Sequence, residues 1–144
     1  MASLKPETQF IARVHKHLPT VYKEKMSNPW RSGTADVWYS GAKGDMWVEY
    51  KYLPKLPVRA TYLALNLSPR QLKWLADRFS EGREVAVILG TPKGAVFFGG
   101  SHWRHNSATF FAMTWISAQL CDVSAVAARI FAITGASPCL LPKV

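Results

Sequence analysis

Three acidic residues and one lysine stand in an order that could support hydrolysis at a metal ion: Glu7, Asp36, Glu49 and Lys51. Two apolar runs carry the last three of these, and the small residues of segment 40–44 separate the runs, which predicts a β-hairpin. Because side chains alternate along a strand, Glu49 and Lys51 point to the same face. Asp36 on the neighbouring strand can then come opposite Glu49.

The chemistry of this set depends on what lies between the acids. Two neighbouring carboxylates repel, and each raises the pKa of the other unless a cation sits between them. Their hard oxygen atoms suit Mg²⁺ or Mn²⁺. Lys51, one strand step from such an ion, could hold or deprotonate an attacking water. The four residues therefore predict metal-assisted hydrolysis.

Each residue also has a structural explanation. An acid and a lysine on one strand face commonly form a weak, solvated ion pair. The strand around Glu49 is apolar on both faces, however, and buried acids are rare unless paired or metal-bound. Glu7 could be a helix N-terminal acid that favours the helix dipole. Asp45 shares the face of Glu49, but beside Gly44 it is interpreted as a turn residue.

This arrangement resembles the PD-(D/E)XK nuclease superfamily. Asp36 matches the first acid of the motif, segment 49–51 matches the E-x-K element, and Glu7 matches the helical glutamate that many members carry. Segment 67–75 looks like the helix start of the VRR-NUC and Holliday-junction-resolvase-like branches. The resemblance covers roughly residues 5–100.

The resemblance implies an α/β fold with a restriction-endonuclease-like core, in which helices flank a central mixed β-sheet. It implies a small, phage-type, metal-dependent DNA endonuclease that selects branched or junction DNA by structure, and such a substrate favours a homodimer. Ala35 stands where the family usually has proline, a position that shapes the backbone and does not bind metal.

The resemblance also assigns roles within the site. Asp36, Glu49 and the backbone carbonyl of Tyr50 would hold Mg²⁺ or Mn²⁺, and Glu7 would bind directly or through water. Lys51 would orient the attacking water or neutralise charge on the phosphate.

Five further residues are candidates for contact with substrate. Lys55 and Arg59 follow the E-x-K strand within reach of a phosphate backbone, although a plain solvated linker explains them equally well. Arg70, Gln71 and Lys73 lie in the first turns of the helix that follows. In the resembling nucleases a glutamine here lies near the active site, and the alternative is a solvated side chain.

Composition points to a polyanion as partner. Lysine and arginine total 18 against 9 acidic residues, a formal net charge of +9. Such a charge on a small domain favours nucleic acid, although a generic basic protein is the alternative. No stretch has the length and hydropathy of a signal peptide or membrane span, so we expect a cytoplasmic protein, and for a phage protein the cytoplasm of the host cell.

The chain of 144 residues, 49% of them hydrophobic, suits one nuclease domain with a sizeable core. The motif-bearing part is expected over 5–100 and a helical extension over about 105–144, which covers the sheet or mediates dimerisation. The other expected elements are a helix from about Pro6 to Leu18, a basic, turn-rich segment over 22–33 that includes a loop over 27–33, a helix from Ser68 to about Ser80, strands over 85–89 and 95–98, a polar loop over 102–105 and a helix over 123–134.

Two functional alternatives stay open. The chain could be a catalytically silent nuclease-fold protein that binds nucleic acid or host machinery as a regulator. It could also be a small basic protein whose motif matches arise by chance, which predicts no divalent-ion binding. Three converging carboxylates favour catalysis, because a binding module has no need of them.

Overall fold

A five-stranded mixed sheet forms the centre of the molecule in the computed structural model, which describes residues 4–26, 33–57, 59–100, 102–104 and 110–135. The strand order is β1-β2-β3-β5-β6; β3 and β5 run parallel and the other neighbours are antiparallel. A second, two-stranded sheet pairs β4 with β7. The strands are β1 (Tyr22–Lys25), β2 (Val37–Ser40), β3 (Asp45–Tyr52), β4 (Tyr62–Ala64), β5 (Glu84–Thr91), β6 (Gly94–Gly99) and β7 (Phe110–Ala112).

Helices cover both faces of the main sheet. One hydrophobic cluster joins α1 and α4 to one face, and a second joins α2, α3 and the small sheet to the other. This confirms the predicted central mixed sheet flanked by helices. In the described part of the chain the helices are α1 (Pro6–Lys16), α2 (Pro69–Ser80), α3 (Met113–Gln119), α4 (Val123–Thr134) and a 3-10 turn (His102–Arg104). None of these helices is long and apolar enough to cross a membrane.

Local sequence explains where α2 begins. Ser68 Oγ accepts a hydrogen bond from the Gln71 backbone N–H at 3.1 Å, while Gln71 Oε1 accepts one from the Ser68 N–H at 2.9 Å. This reciprocal capping box satisfies two backbone donors that a helix start leaves unpaired. Pro69 at the first helical position needs no such donor.

The hairpin of β2 and β3 fixes which side chains share a face. Val37 pairs with Val48 and Trp38 with Trp47, as the alternation of the sequence predicts. The valines lie in the core beneath α1 and α4. On the opposite face the Trp38 and Trp47 rings stack with centroids 5.8 Å apart, and Trp47 meets Trp74 of α2 edge-on at 5.5 Å. These rings form an apolar wall on the face of Glu49.

Strand β5 confirms the prediction of a central, doubly covered strand. It lies between β3 and β6, and its residues from Val85 to Thr91 are buried. The crossover from β3 contains β4 and α2, so the parallel pair places α2 on the face of the sheet that carries Glu49.

Two predictions of irregular structure are wrong. Residues 27–32 of the loop predicted over 27–33 lie outside the described residues, but Tyr22–Lys25, expected in the turn-rich segment before it, forms the edge strand β1, whose partner is Val37–Ser40. Its mostly charged sequence gives no apolar alternation, and charge is common on edge strands because it discourages pairing with other chains. The polar loop expected over 102–105 is a 3-10 turn over its first three residues, with Trp103 fully buried.

The described part of the C-terminal region, residues 110–135, contributes to the core. Val126, Ala127 and Ile130 of α4 pack with the α1 side of the sheet. The region is not helical throughout, because Phe110–Ala112 forms β7. Asp122 caps α4, accepting from the Ala125 N–H at 3.0 Å.

Candidate active site

Asp36 lies at the open end of the β2–β3 hairpin. It directly precedes β2, and continuing the strand register by one step from the Val37–Val48 pair places it opposite Glu49. Its Oδ2 accepts a hydrogen bond of 2.8 Å from the backbone N–H of Tyr50. A main-chain donor on β3 thus holds the Asp36 carboxylate beside the Glu49 side chain.

Glu49 is the buried member of this pair. It is 3% exposed, one of the few polar side chains in the core. Burial, a hydrogen bond with the Asp36 carboxyl, and the charges of Asp36 and Glu7 raise the pKa of Glu49 to about 10, while Lys51 lowers it. At neutral pH and without a cation, the protein therefore keeps the Glu49 carboxyl protonated beside its neighbour.

Glu7 approaches the same pair from α1. It lies one turn before Phe10 and two before Val14, which are buried beneath the helix, so its half-buried side chain continues their inward-facing stripe. Burial and the charge of Asp36 raise the pKa of Glu7, against the opposing effect of Lys51. The helix thus adds a third carboxyl to the electrostatic environment of the hairpin acids.

Lys51 and Gln71 join the strand to α2. Lys51 Nζ donates to Gln71 Oε1 at 3.2 Å, and the same oxygen accepts from the Ser68 N–H. The capping box therefore has a second role, because Gln71 Oε1, which caps the N-terminus of α2, also orients the ammonium group of Lys51. The structure brings Gln71 to the site, in preference to the solvated alternative.

The other predicted substrate contacts lie at the surface: Lys55, Arg59 and Arg70 are exposed. Lys73 Nζ instead pairs with Asp77 Oδ2 at 2.9 Å along the helix surface. Both partners are largely in solvent, so this pair contributes little to stability.

A close contact explains the glycine that precedes Asp36. Gly33 has φ +99°, and a Cβ there would lie 2.7 Å from the backbone oxygen of Arg70. A side chain would be strained by both the conformation and the contact. The segment that leads to Asp36 therefore packs directly against the first turn of α2.

Two basic residues near the site escaped the sequence-based prediction. Lys25 and Lys5 both lower the pKa of Glu7, which places their charges near that carboxyl. Lys25 was assigned to a turn-rich segment, so nothing in the sequence pattern indicated the direction of its side chain. Lys5 directly precedes α1, and only its closeness in sequence to Glu7 could have suggested it.

The donor set fits a hard divalent cation. Asp36 and Glu49 share one location, Glu7 influences it, and carboxylate oxygens are the ligands that Mg²⁺ and Mn²⁺ prefer. A cation there would oppose the repulsion that raises the pKa values of Glu49 and Glu7. Among the residues that the structure describes, no three His, Cys, Asp or Glu side chains lie together in a group that could hold a metal ion, so the side-chain donors at this location are the pair Asp36 and Glu49.

The fold is the restriction-endonuclease-like α/β fold that the sequence predicted. Among solved structures 14 chains match. One is Archaeoglobus fulgidus Hjc, a Holliday junction resolvase from an archaeal hyperthermophile. The match has a TM-score of 0.56 and 17% sequence identity, and it covers 84% of this chain and 99% of that chain. No protein-family model matches the sequence, and no curated protein matches it.

Proposed function

We propose that this protein is a metal-dependent endonuclease that hydrolyses phosphodiester bonds in branched DNA, recognising structure rather than sequence. One observation carries the proposal. The Tyr50 N–H fixes the Asp36 carboxylate beside buried Glu49, and Lys51 follows on the same strand face. That order and placement of groups suits phosphodiester hydrolysis, and the fold match to a solved junction resolvase supports the same class.

The residues divide the work as follows. Asp36, Glu49 and the backbone carbonyl of Tyr50 hold Mg²⁺ or Mn²⁺, and Glu7 binds it directly or through water. When bound, the ion polarises the scissile phosphate and lowers the pKa of a water molecule. Lys51, oriented by Gln71, positions the attacking water and neutralises charge that develops on the phosphate.

Loading the site requires Glu49 to lose its proton. The raised pKa of Glu49 means that protons compete with the cation. The ammonium of Lys51 works in the opposite direction, since it lowers that pKa. A positively charged lysine beside the acids therefore favours both the ionised site and the phosphate that approaches it.

The charge distribution favours DNA held by its backbone. Lys5 and Lys25 lie near Glu7, and Lys55, Arg59 and Arg70 are exposed. Such contacts position a duplex without reading bases. A four-way junction has two symmetry-related strands to cut, so a homodimer is the expected assembly. We further propose a VRR-NUC-like, phage-type enzyme that acts in the cytoplasm, where its DNA substrate lies.

One observation favours the silent alternative, a nuclease-fold regulator that binds nucleic acid or host machinery. A Glu49 carboxyl that is protonated at neutral pH does not bind metal. Incubation with linear, nicked and four-way-junction DNA, with and without Mg²⁺ or Mn²⁺, separates the two. We expect metal-dependent cutting near the branch point. Equal cutting of linear DNA would contradict structure selectivity, and binding without cutting at any metal concentration would favour the regulator.

A further inference from the structure

A groove of about 610 Å³ lies beside the proposed active site. One wall follows β3, starting at Leu53, two residues after Lys51; the other includes β4 and ends at Asn66, shortly before α2. Lys51 itself donates to Gln71 of α2 at 3.2 Å, so the strand that leads into the groove is bonded to the helix that follows it. The Leu53 N–H donates to the Gly90 carbonyl at 2.9 Å, which anchors the first wall to β5. The groove is therefore continuous with the catalytic strand.

The lining of this groove suits a polyanion. Lys55 and Arg59 are exposed at its rim, and Asn66 adds an amide. No Asp or Glu occurs among the described residues that line it. The rest of the lining is mostly aliphatic, such as Leu53 and Leu56. Cations over an apolar floor are the surface that a sugar-phosphate strand requires.

Tyr62 narrows the class of ligand. Its ring is one of the few large apolar groups on the surface, with 60% of the residue exposed, and it projects from β4 at the groove. Every nucleobase offers a face for stacking on an aromatic ring. Bases inside a duplex are already stacked between neighbours, so an aromatic side chain at a groove can take up an unpaired base but not a paired one.

We propose that this groove binds an unpaired strand of the DNA substrate, with phosphates at Lys55 and Arg59 and a base stacked on Tyr62. The inference rests on the proposed function, because it names the part of the substrate that enters beside Lys51. It specifies branched DNA in which a stretch of strand is unpaired beside the branch point. Strand binding itself needs neither metal nor turnover, so it can be measured separately.

The test is fluorescence anisotropy of a labelled oligo(dT) and of a matched duplex, in EDTA, with the full chain. Tyr62→Ala should weaken oligo(dT) binding about tenfold and duplex binding much less. Tyr62→Phe should bind as the wild type, because stacking does not need the hydroxyl. Tyr22→Ala is the matched control: Tyr22 is 57% exposed on the edge strand β1 and should leave binding unchanged.

A charge variant tests the other half of the groove. Lys55→Ala should reduce the slope of log affinity against log salt for oligo(dT) by about 0.7, the value for one phosphate contact on a single strand. Lys16→Ala, which removes an exposed lysine from the end of α1, should leave it unchanged. Circular dichroism melting of every variant verifies that it is folded.

Three results would overturn the inference: Tyr62→Ala binding as tightly as Tyr22→Ala, equal losses for oligo(dT) and duplex, or equal losses for Tyr62→Phe and Tyr62→Ala. Cutting assays with Mg²⁺ keep its failure distinct from failure of the proposed function. Binding of oligo(dT) through Tyr62 without any cutting of DNA would support the groove inference and contradict the nuclease function. Cutting of junctions without any dependence on Tyr62 would support the nuclease function and contradict the groove inference.

Discussion

The backbone N–H of Tyr50 donates to Oδ2 of Asp36 at 2.8 Å. This bond connects Asp36, just before β2, to the residue that directly follows Glu49 in β3. A main-chain donor of β3 therefore fixes the Asp36 carboxyl beside Glu49. An amide at position 36 retains an oxygen acceptor for the same bond, so Asp36→Asn changes the charge and leaves the hairpin intact.

The raised pKa of Glu49 predicts how stability depends on pH without metal. The pKa of a glutamate is ordinarily 4.5, and the pKa of Glu49 in the folded protein is about 10. The stability that Glu49 contributes is therefore complete below pH 4.5 and is lost as the pH rises toward 10. Glu49→Gln removes this dependence. In EDTA, the melting temperature of Glu49→Gln relative to wild type should rise steadily between about pH 5 and pH 9.

An exposed acid on the same strand provides the control for this series. Asp45→Asn removes a carboxyl that accepts only a solvent-exposed hydrogen bond from Ser40, at 3.0 Å. Its melting temperature should stay close to the wild-type value across the same range. If the melting-temperature difference between Glu49→Gln and wild type stays constant or decreases as pH rises, burial does not keep Glu49 protonated.

Divalent cations should stabilise the wild-type fold through the hairpin acids. A cation that binds only the native state raises the melting temperature by mass action. At a ligand concentration one hundred times Kd, the free energy of unfolding increases by about 2.7 kcal/mol. The shift should be absent in the Asp36→Asn/Glu49→Gln double variant. It should also grow with pH, since cations displace protons from the carboxyls. Equal shifts in both proteins would place the ion elsewhere.

Lys51 should act in the chemical step rather than in metal binding. A protonated ammonium group cannot be a metal ligand. Its charge lowers the pKa of Glu49 but also repels a cation, and because these effects oppose each other, Lys51→Ala should keep most of the metal-induced thermal shift. Loss of one positioned cation at the reacting phosphate should slow single-turnover cleavage by about 10²- to 10³-fold. Lys51→Arg should restore only a fraction of the rate, because the guanidinium is longer and planar. Wild-type cleavage by Lys51→Ala would refute the assignment of the E-x-K element.

Gln71 offers a test of how α2 orients Lys51. Gln71→Ala removes both the acceptor for Lys51 and half of the capping box, whereas Ser68→Ala removes only a cap. Each should lower stability by about 1 kcal/mol. Cleavage should fall further in Gln71→Ala than in Ser68→Ala, with substrate affinity similar in both. Equal rates in the two variants would limit Gln71 to capping the helix.

Features that depend on neighbours in sequence were predictable. The Ser68–Gln71 capping box lies within one helical turn, and the hairpin brings Asp36 opposite Glu49 by alternation and register alone. The stripe of Phe10 and Val14 likewise indicated the face of α1 that carries Glu7. These local patterns determined the scaffold of the site.

Features that depend on distant partners were not predictable. Strand β1 has no apolar alternation, and only its pairing with β2 places Lys25 near Glu7. The three-residue strands β4 and β7 form only by pairing with each other, and they are far apart in the sequence. The groove beside Tyr62 depends on that pairing, so it cannot be inferred from the sequence around the tyrosine.

Single-turnover cleavage of a four-way junction by Glu49→Gln, with Mg²⁺ or Mn²⁺, tests the central claim most directly. The nuclease account predicts a loss of two orders of magnitude or more, because a neutral amide cannot replace a carboxylate ligand. It also predicts junction affinity in EDTA within about twofold of wild type, since phosphate contacts dominate binding. Asp45→Asn should cut at the wild-type rate. Full cleavage by purified Glu49→Gln would contradict the account.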